Sequence, residues 1–351
     1  MKFSTGLPNC REGRQNLIGS VDANGIKRQA QVAEECGYYA LWPNEFFTTI
    51  SGVQTTYAAP PNLYDTIVTM SYAAAVTERI RIMPSTIVLP LHEPILLSRQ
   101  IATLDAFSGG RITLGIGLGG DKEEFGRMRT DNPNRSKLMD EYMAAMNVLW
   151  TERRASYQGK YVQFTDIETY PKPTQKPLPV LRAGHGEEVF KWIARHGQGW
   201  IDSQFTPEEM KTYVGQLQTL AREAGRGNDD FEITRQWYVS IAKTEDEAKA
   251  NFVASVPPAT RAPEPKPAAV AAGVAAGGQS ATPGRGPGGQ QPRSATSAER
   301  SLIGTPEQLL KRLRDYAPAG VTEMCVIFYS PNAAAVERQT RLFASEVMAR
   351  W

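Results

Sequence analysis

Short apolar runs of strand character alternate with helical patterns along almost the whole chain, and this alternation limits the fold more than any other feature. Residues 2–8 read as a first strand and 24–36 as its helix, stopped by Gly37. Residues 38–43 and 63–76 make a second pair, and 80–89 with 94–107 a third. A glycine-bearing fourth strand precedes a helix over 136–150, and a Pro-rich crossing, PKPTQKPLP, leads to a fifth strand at 180–183 with its helix at 187–195. Pairs at 199–203 with 207–224, 231–242 with 245–252, and 321–328 with 333–350 follow, and another helix is expected over 305–315. Eight strands, each followed by a helix, predict a closed (β/α)8 TIM barrel in preference to an open doubly wound sheet.

The fourth strand is unusual. In RQIATLDAFSGGRITLGIGLGG (99–120), Leu104, Ala106 and Phe107 belong to the last turns of an amphipathic helix that stops at Ser108-Gly109-Gly110. Ile112, Leu114, Ile116 and Leu118 then share one register, and Gly115, Gly117 and Gly119 fall on the other. A strand face without side chains suits close approach by a flat ligand, or a barrel interior where strands crowd one another. The stretch alone leaves both open.

One segment stands outside the alternation. Residues 257–300 are almost wholly Pro, Ala, Gly, Ser, Gln and Thr, with no aromatic and no Leu or Ile. They cannot bury enough apolar surface to offset the entropy of ordering, so a disordered linker is expected, inserted into a barrel built from 1–256 and 301–351. A tether of this length spans about 35 Å root-mean-square, far more than a turn needs. The net charge of +2 and pI near 8.3 argue against a nucleic-acid partner recognised through a basic surface. The start, MKFSTGLPN, has no apolar secretory core, and no apolar run is long enough for a membrane span. Cys10, Cys36 and Cys325 are isolated, as expected of reduced cysteines in a cytoplasmic protein. Three histidines make a His-rich metal centre improbable, and no metal is expected.

In a barrel of this kind chemistry is carried where the strands end, which narrows the search to 8–9, 44–47, 85–88, 117–121, 183–186, 202–204 and Tyr329. No Schiff-base lysine or paired carboxylates stand there, so a lyase or aldolase ranks last. So little acid-base equipment fits a cofactor that brings its own chemistry to a small-molecule substrate. Ala183-Gly184-His185-Gly186, directly before Glu187 and Glu188, is the best anion site: a strand opens through two glycines into a helix, so backbone amides can face a phosphate. An ordinary βα turn also uses glycines. Strand alternation turns Arg182 away from that site or toward it, and His185 either donates to a phosphate or stands at the rim.

TERIRIMPSTIVLPLHEPILLSRQIATLDAFSGGRITLGIGLGG from Thr77, QKPLPVLRAGHG with ARHGQGW up to Trp200, and GTPEQLLKRL from Gly304 together resemble the bacterial luciferase-like flavin-dependent oxidoreductases. The resemblance implies a barrel that binds FMN, or alternatively coenzyme F420, at its C-terminal mouth, in enzymes that are commonly homodimers. By position it puts Gly117 and Gly119 beside the ring system or phosphate tail, and Ala183, Gly184, His185 and Gly186 at the phosphate. It puts Ser85 and Thr86 at a bulge with a non-prolyl cis peptide behind the ring. Glu45, Phe46 and Phe47 fall where relatives carry Glu-His-His, the source of a catalytic histidine. With phenylalanines there, that acid-base role is not available at Phe46 or Phe47, leaving Asn44, Glu45 and Glu124 as polar candidates. The leading expectation is a monooxygenase using O2 and reduced FMN from a separate reductase, with Trp42, Phe46 and Phe47 forming an apolar mouth. Deazaflavin hydride transfer and flavin binding without turnover are the alternatives.

Overall fold

The computed structural model describes residues 1–49, 59–120, 122–128, 134–202, 205–227, 231–255 and 301–351; the linker expected at 257–300 lies outside them. The strands are β1 (Lys2–Gly6), β2 (Ala40–Trp42), β3 (Arg81–Ile82), β4 (Ile87–Val88), β5 (Leu114–Gly117), β6 (Ala155–Gln158), β7 (Gln163–Ile167), β8 (Val180–Ala183), β9 (Gly199–Asp202), β10 (Glu232–Ile241), β11 (Ser301–Gly304) and β12 (Glu323–Phe328). The main sheet runs β3-β2-β1-β12-β10-β9-β8-β5-β4, with β11 paired to β10 beside that path. All its described pairings are parallel. The two ends of the path, β3 and β4, are halves of a single wall crossing. Ile82 bridges Ile112 just ahead of β5, and Ile87 pairs with Ile116 within it. The sheet therefore closes on itself as the eight-position TIM barrel that the alternation predicts.

The helices are α1 (Ala23–Glu35), α2 (Thr66–Ala75), α3 (Pro94–Phe107), α4 (Lys122–Arg127), α5 (Arg135–Thr151), α6 (Glu187–His196), α7 (Pro207–Glu223), α8 (Glu245–Ser255), α9 (Pro306–Tyr316) and α10 (Ala333–Glu346). Side chains fix where several begin. Asp22 accepts from the Gly25 amide at 2.7 Å, and Glu93 from those of Ile95 and Leu96 at 3.1 and 2.6 Å, each satisfying donors that a first helical turn leaves unpaired. Thr206 and Glu209 form a reciprocal capping box ahead of α7. At the other end of α3, Gly109 and Gly110 take φ of 69° and 83°, which L side chains rarely adopt. A large core between helices and barrel wall contains Leu41, Met70, Ile101, Ile116, Phe190 and Trp237, and a smaller interior cluster contains Ala40, Trp42, Met83, Leu181, Ile201, Cys325 and Ile327.

Several details differ from the sequence reading. The expected strand over 80–89 is interrupted: Met83 and Ser85 still donate to the Leu41 and Pro43 carbonyls, at 2.9 and 2.8 Å, but Pro84 lacks an N–H, and the Ser85–Thr86 peptide is cis. Trp42 is fully buried inside the barrel, its Nε1 donating to Glu323 Oε1 at 3.1 Å, so it is not part of the mouth. The antiparallel hairpin β6–β7 and strand β11 escaped the reading altogether: β6 is polar, and β11 follows the low-complexity stretch directly. Met70 is buried in the core, whereas Val68 on α2 and Leu96 and Phe107 on α3 are exposed. All three cysteines are free. No helix among the described residues is long and apolar enough to cross a membrane.

Candidate functional site

Gly115, Gly117 and Gly119 do different things. A Cβ on Gly115 would overlap the Pro84 carbonyl oxygen, and one on Gly117 would overlap Thr86 Oγ1. These two glycines let β5 lie against the 84–86 segment, so at both positions the crowded-barrel reading describes the packing. Gly119 has left the strand with φ of 70°, and it lines an open cavity at the C-terminal ends of the strands. Gly117 is buried beneath Thr86, which does line the cavity.

The cavity, about 620 Å³, has the size of a small-molecule or cofactor site. Its wall brings together Asn44, Glu45, Phe46, Ser85, Thr86, Gly119, Ala183, Gly184 and His185 from the sequence reading. Gly117, Gly186 and Phe47 are not on it. Phe47 instead turns outward, with its ring 5.5 Å from that of His92.

Ala183–Gly186 joins β8 to α6. Gly184 and Gly186 have φ of 108° and 105°, and Gly186 caps the helix with no side-chain acceptor for the first-turn amides. Those amides and the positive end of the helix dipole are the groups an anion at this turn would meet. The turn is fixed from below, because Trp200 Nε1 donates to the Gly184 carbonyl at 2.6 Å. His185 packs edge-on against Phe205 at 5.2 Å. Glu187 and Glu188, in the first turn, are drawn toward Lys191, at 2.6 and 3.1 Å. Arg182 points away from the cavity: it is buried, ion-pairs with Asp140 at 2.7 Å, and burial lowers its pKa.

On another side of the mouth, Glu45 is buried and doubly held. One oxygen accepts from the Val88 amide at 2.6 Å, and His92 Nε2 lies 3.0 Å from the same oxygen and 3.1 Å from the other. His92 was not among the expected site residues. It stands in the loop ahead of α3, and only the curvature of the wall brings it to Glu45. Asn44 is held through its backbone by Asn9, at 3.1 and 2.8 Å, while its Oδ1 is buried without a partner. Glu124 accepts from the Phe47 amide at 2.6 Å. Arg11, Arg14 and Gln15, from the loop after β1, complete the wall with Gln236 and Tyr238 of β10. These five were also missed: the loop after β1 was searched only as far as residue 9, and Gln236 and Tyr238 lie inside the strand expected over 231–242, not at its end.

A two-glycine turn at a helix start, a wall rich in hydrogen-bonding groups and buried polar atoms without partners on Asn44 and Arg11 fit a phosphate-bearing ring cofactor with a small substrate beside it.

Comparison with known proteins agrees with this architecture. The family model described as luciferase-like monooxygenase matches residues 1–323. An uncharacterised protein of Mycobacterium tuberculosis is 40% identical over 166 residues, 46% of this chain and 57% of its own length, so the chain spans little more than half of that relative. The FMNH(2)-dependent dimethylsulfone monooxygenase of Pseudomonas putida is 27% identical over 71% of this chain and 68% of its own. The F420-dependent glucose-6-phosphate dehydrogenase of Kineococcus radiotolerans is 29% identical over 62% and 64%. Among solved structures, the coenzyme F420-dependent tetrahydromethanopterin reductase of Methanopyrus kandleri superposes with a TM-score of 0.69 at 19% identity, covering 100% of this chain and 99% of that one, and so shares the fold. With the family model matched over most of its length, this chain belongs to the luciferase-like monooxygenase family.

Proposed function

We propose that the chain is an oxidoreductase that holds a flavin-type coenzyme, FMN or F420, across the barrel mouth with its phosphate at the Ala183–Gly186 turn. The observation that carries this reading is the opening of β8 through two positive-φ glycines into the uncapped start of α6, with Ala183, Gly184 and His185 on the wall of the 620 Å³ cavity. When bound, such a coenzyme exchanges a hydride with a substrate or, as reduced FMN, activates O2. The chain's part is to bind, orient and shield. Ser85 and Thr86 supply one wall, Gly119 lets the backbone turn close to the cavity, and Glu45, fixed by Val88 and His92, presents an immobile carboxylate to the substrate.

Reduced FMN with O2 on a small organic substrate, the flavin delivered by a separate reductase, is supported by the longer match, to the dimethylsulfone monooxygenase over 71% of the chain. F420-dependent hydride transfer is the second reading, supported by the match to the F420-dependent glucose-6-phosphate dehydrogenase over 62% of the chain. Among the described residues, Phe46, Val88, Ala183, Ile201 and Phe205 supply the aliphatic and phenyl part of the wall, without Trp42 or Phe47. The exposed apolar residues Val68, Leu96 and Phe107 support a homodimer through α2 and α3.

Titration of the purified protein with FMN and with F420, each oxidised and reduced, tests the reading. Gly184→Asp is expected to weaken binding of the preferred coenzyme at least tenfold through carboxylate–phosphate repulsion, which corresponds to about 1.4 kcal/mol. Gly225→Asp is the control, also at a positive φ, 75° against 108° at Gly184, in the turn after α7 and with no room lost. Binding of neither coenzyme would remove the proposal. Binding without oxidation of any reductant would leave a flavin-binding protein.

A further inference from the structure

We propose that Arg11 recognises an anionic group of the substrate, so that the substrate is a small organic anion carrying a carboxylate, sulfonate or phosphate. Which side of the cavity belongs to the substrate rests on the coenzyme reading above.

Arg11 lines the cavity yet is only 3% exposed, and its Nε and Nη2 have no hydrogen-bond partner. Nη1 reaches Gln15 Oε1 at 3.5 Å, and the Tyr238 ring lies 6.0 Å from the guanidinium carbon, the outer limit of a cation–π contact. Buried charges in folded proteins are ordinarily paired, because an uncompensated one forfeits its hydration. Among the described residues, no carboxylate compensates this one. On the cavity wall, Glu45 is engaged by Val88 and His92, Glu124 by the Phe47 and Thr48 amides, and Asp202 by Arg235 at 3.3 Å and the Phe205 amide. Glu12, the next residue, accepts instead from the Val21 and Asn62 amides at 2.9 and 2.8 Å.

The backbone that carries Arg11 is also held in place. The Arg11 carbonyl accepts from the amides of Arg14, Gln15 and Asn16 at 3.1, 3.0 and 3.0 Å, and the Ser330 amide ties the loop to the end of β12 through Gln15 O at 2.8 Å. Two free donor nitrogens on one rigid, planar fork match the two oxygens of a carboxylate, sulfonate or phosphate.

Barrel geometry separates this position from the cradle. Around the closed sheet, β1 is followed in one direction by β12, β10 and β9 before β8, and in the other by β2, the β3/β4 crossing and β5. The loop after β1 thus stands opposite the turn after β8. A phosphate held at the β8–α6 turn leaves Arg11 on the opposite wall, with Gln236 and Tyr238 also lining the cavity.

The test uses Arg11→Met, which removes the charge and keeps the length, and Arg11→Lys, which keeps the charge. Acetate, methanesulfonate and inorganic phosphate are titrated calorimetrically into the full-length protein, with and without saturating FMN or F420. The expected result is that at least one anion binds the wild type at a single site. Arg11→Met should weaken it at least tenfold and Arg11→Lys by less, while all three proteins hold coenzyme within a factor of two of one another. Unchanged anion affinity in Arg11→Met, or no anion binding to the wild type, overturns the proposal. A loss of coenzyme affinity in Arg11→Met also overturns it, by giving Arg11 to the coenzyme. If no coenzyme binds the wild type, the coenzyme reading fails separately, and the titration without coenzyme still decides the role of Arg11. Circular dichroism reports folding, and Arg11→Gln replaces the methionine variant should that one not fold.

Discussion

Glu323, the first residue of β12, points into the N-terminal end of the barrel with no solvent contact. Ser4 Oγ and Trp42 Nε1 both donate to its Oε1, and its Oε2 has no partner. Burial pushes the carboxyl up to about 8 from the ordinary 4.5, and the Glu232 carboxylate adds to the rise. Between those values the folded chain keeps a proton that the unfolded chain has released, so stability falls as pH rises through this window. At full effect one such proton is worth about 1.4 kcal/mol per pH unit. Glu323→Gln keeps the acceptor and removes the titration. Urea unfolding from pH 5 to 8.5 should show the variant gaining on the wild type by roughly 1–3 kcal/mol across the range. Parallel curves would refute it. Neither this group nor the Glu45–His92 pair was readable from the chain, since each partnership joins residues far apart in sequence, 281 for Trp42 with Glu323 and 47 for Glu45 with His92.

A strand with glycine at alternate positions is ambiguous in sequence, because a missing side chain serves close packing and ligand approach alike. Gly115 and Gly117 make room for the interrupted wall segment; Gly119, past the end of β5 and on the cavity wall, also leaves no room for a Cβ, which would overlap Val88 and Phe125. The sequence shows where side chains are missing; what fills the space depends on the neighbouring strand, whose course through Pro84 and Ser85 follows from no local pattern. Gly117→Ala should therefore destabilise the barrel by about 1–3 kcal/mol, the range for overpacking a tight core. The nearest atom is Thr86 Oγ1, so Thr86→Ala in the same chain should return part of the loss, with a coupling of about 1 kcal/mol in a double-mutant cycle. Additive losses would mean that the strand shifts as a whole instead of meeting that side chain. The β8–α6 turn was easier to read, since its glycines, helix start and acidic first turn all lie within six residues, 183–188.

For the molecule as a whole, the count of alternating units was enough to give the barrel, because closing eight parallel strands requires little beyond apolar runs, crossover helices and short loops in the right order. Its weak point was the place where a unit is divided by low-complexity sequence. Strand β10 ends at Ile241, α8 runs back over Glu245–Ser255, and β11 then pairs beside β10 from Tyr238 onward. A parallel crossover of this kind needs only a short return from the helix to the next strand, since α8 covers about 16 Å and β11 begins three residues below the end of β10. Residues 257–300 far exceed that need, and their composition gives them too little apolar surface to offset the entropy of ordering. Replacing them with an eight-residue Gly-Ser linker should leave the thermal midpoint within about 3 °C, because shortening a flexible loop changes its closure entropy only logarithmically. Coenzyme affinity should be equally unaffected, since the loops that build the cavity belong to other units. A drop of 10 °C or more would show that the segment is part of the folded barrel, and a selective loss of coenzyme binding would show that it reaches the mouth.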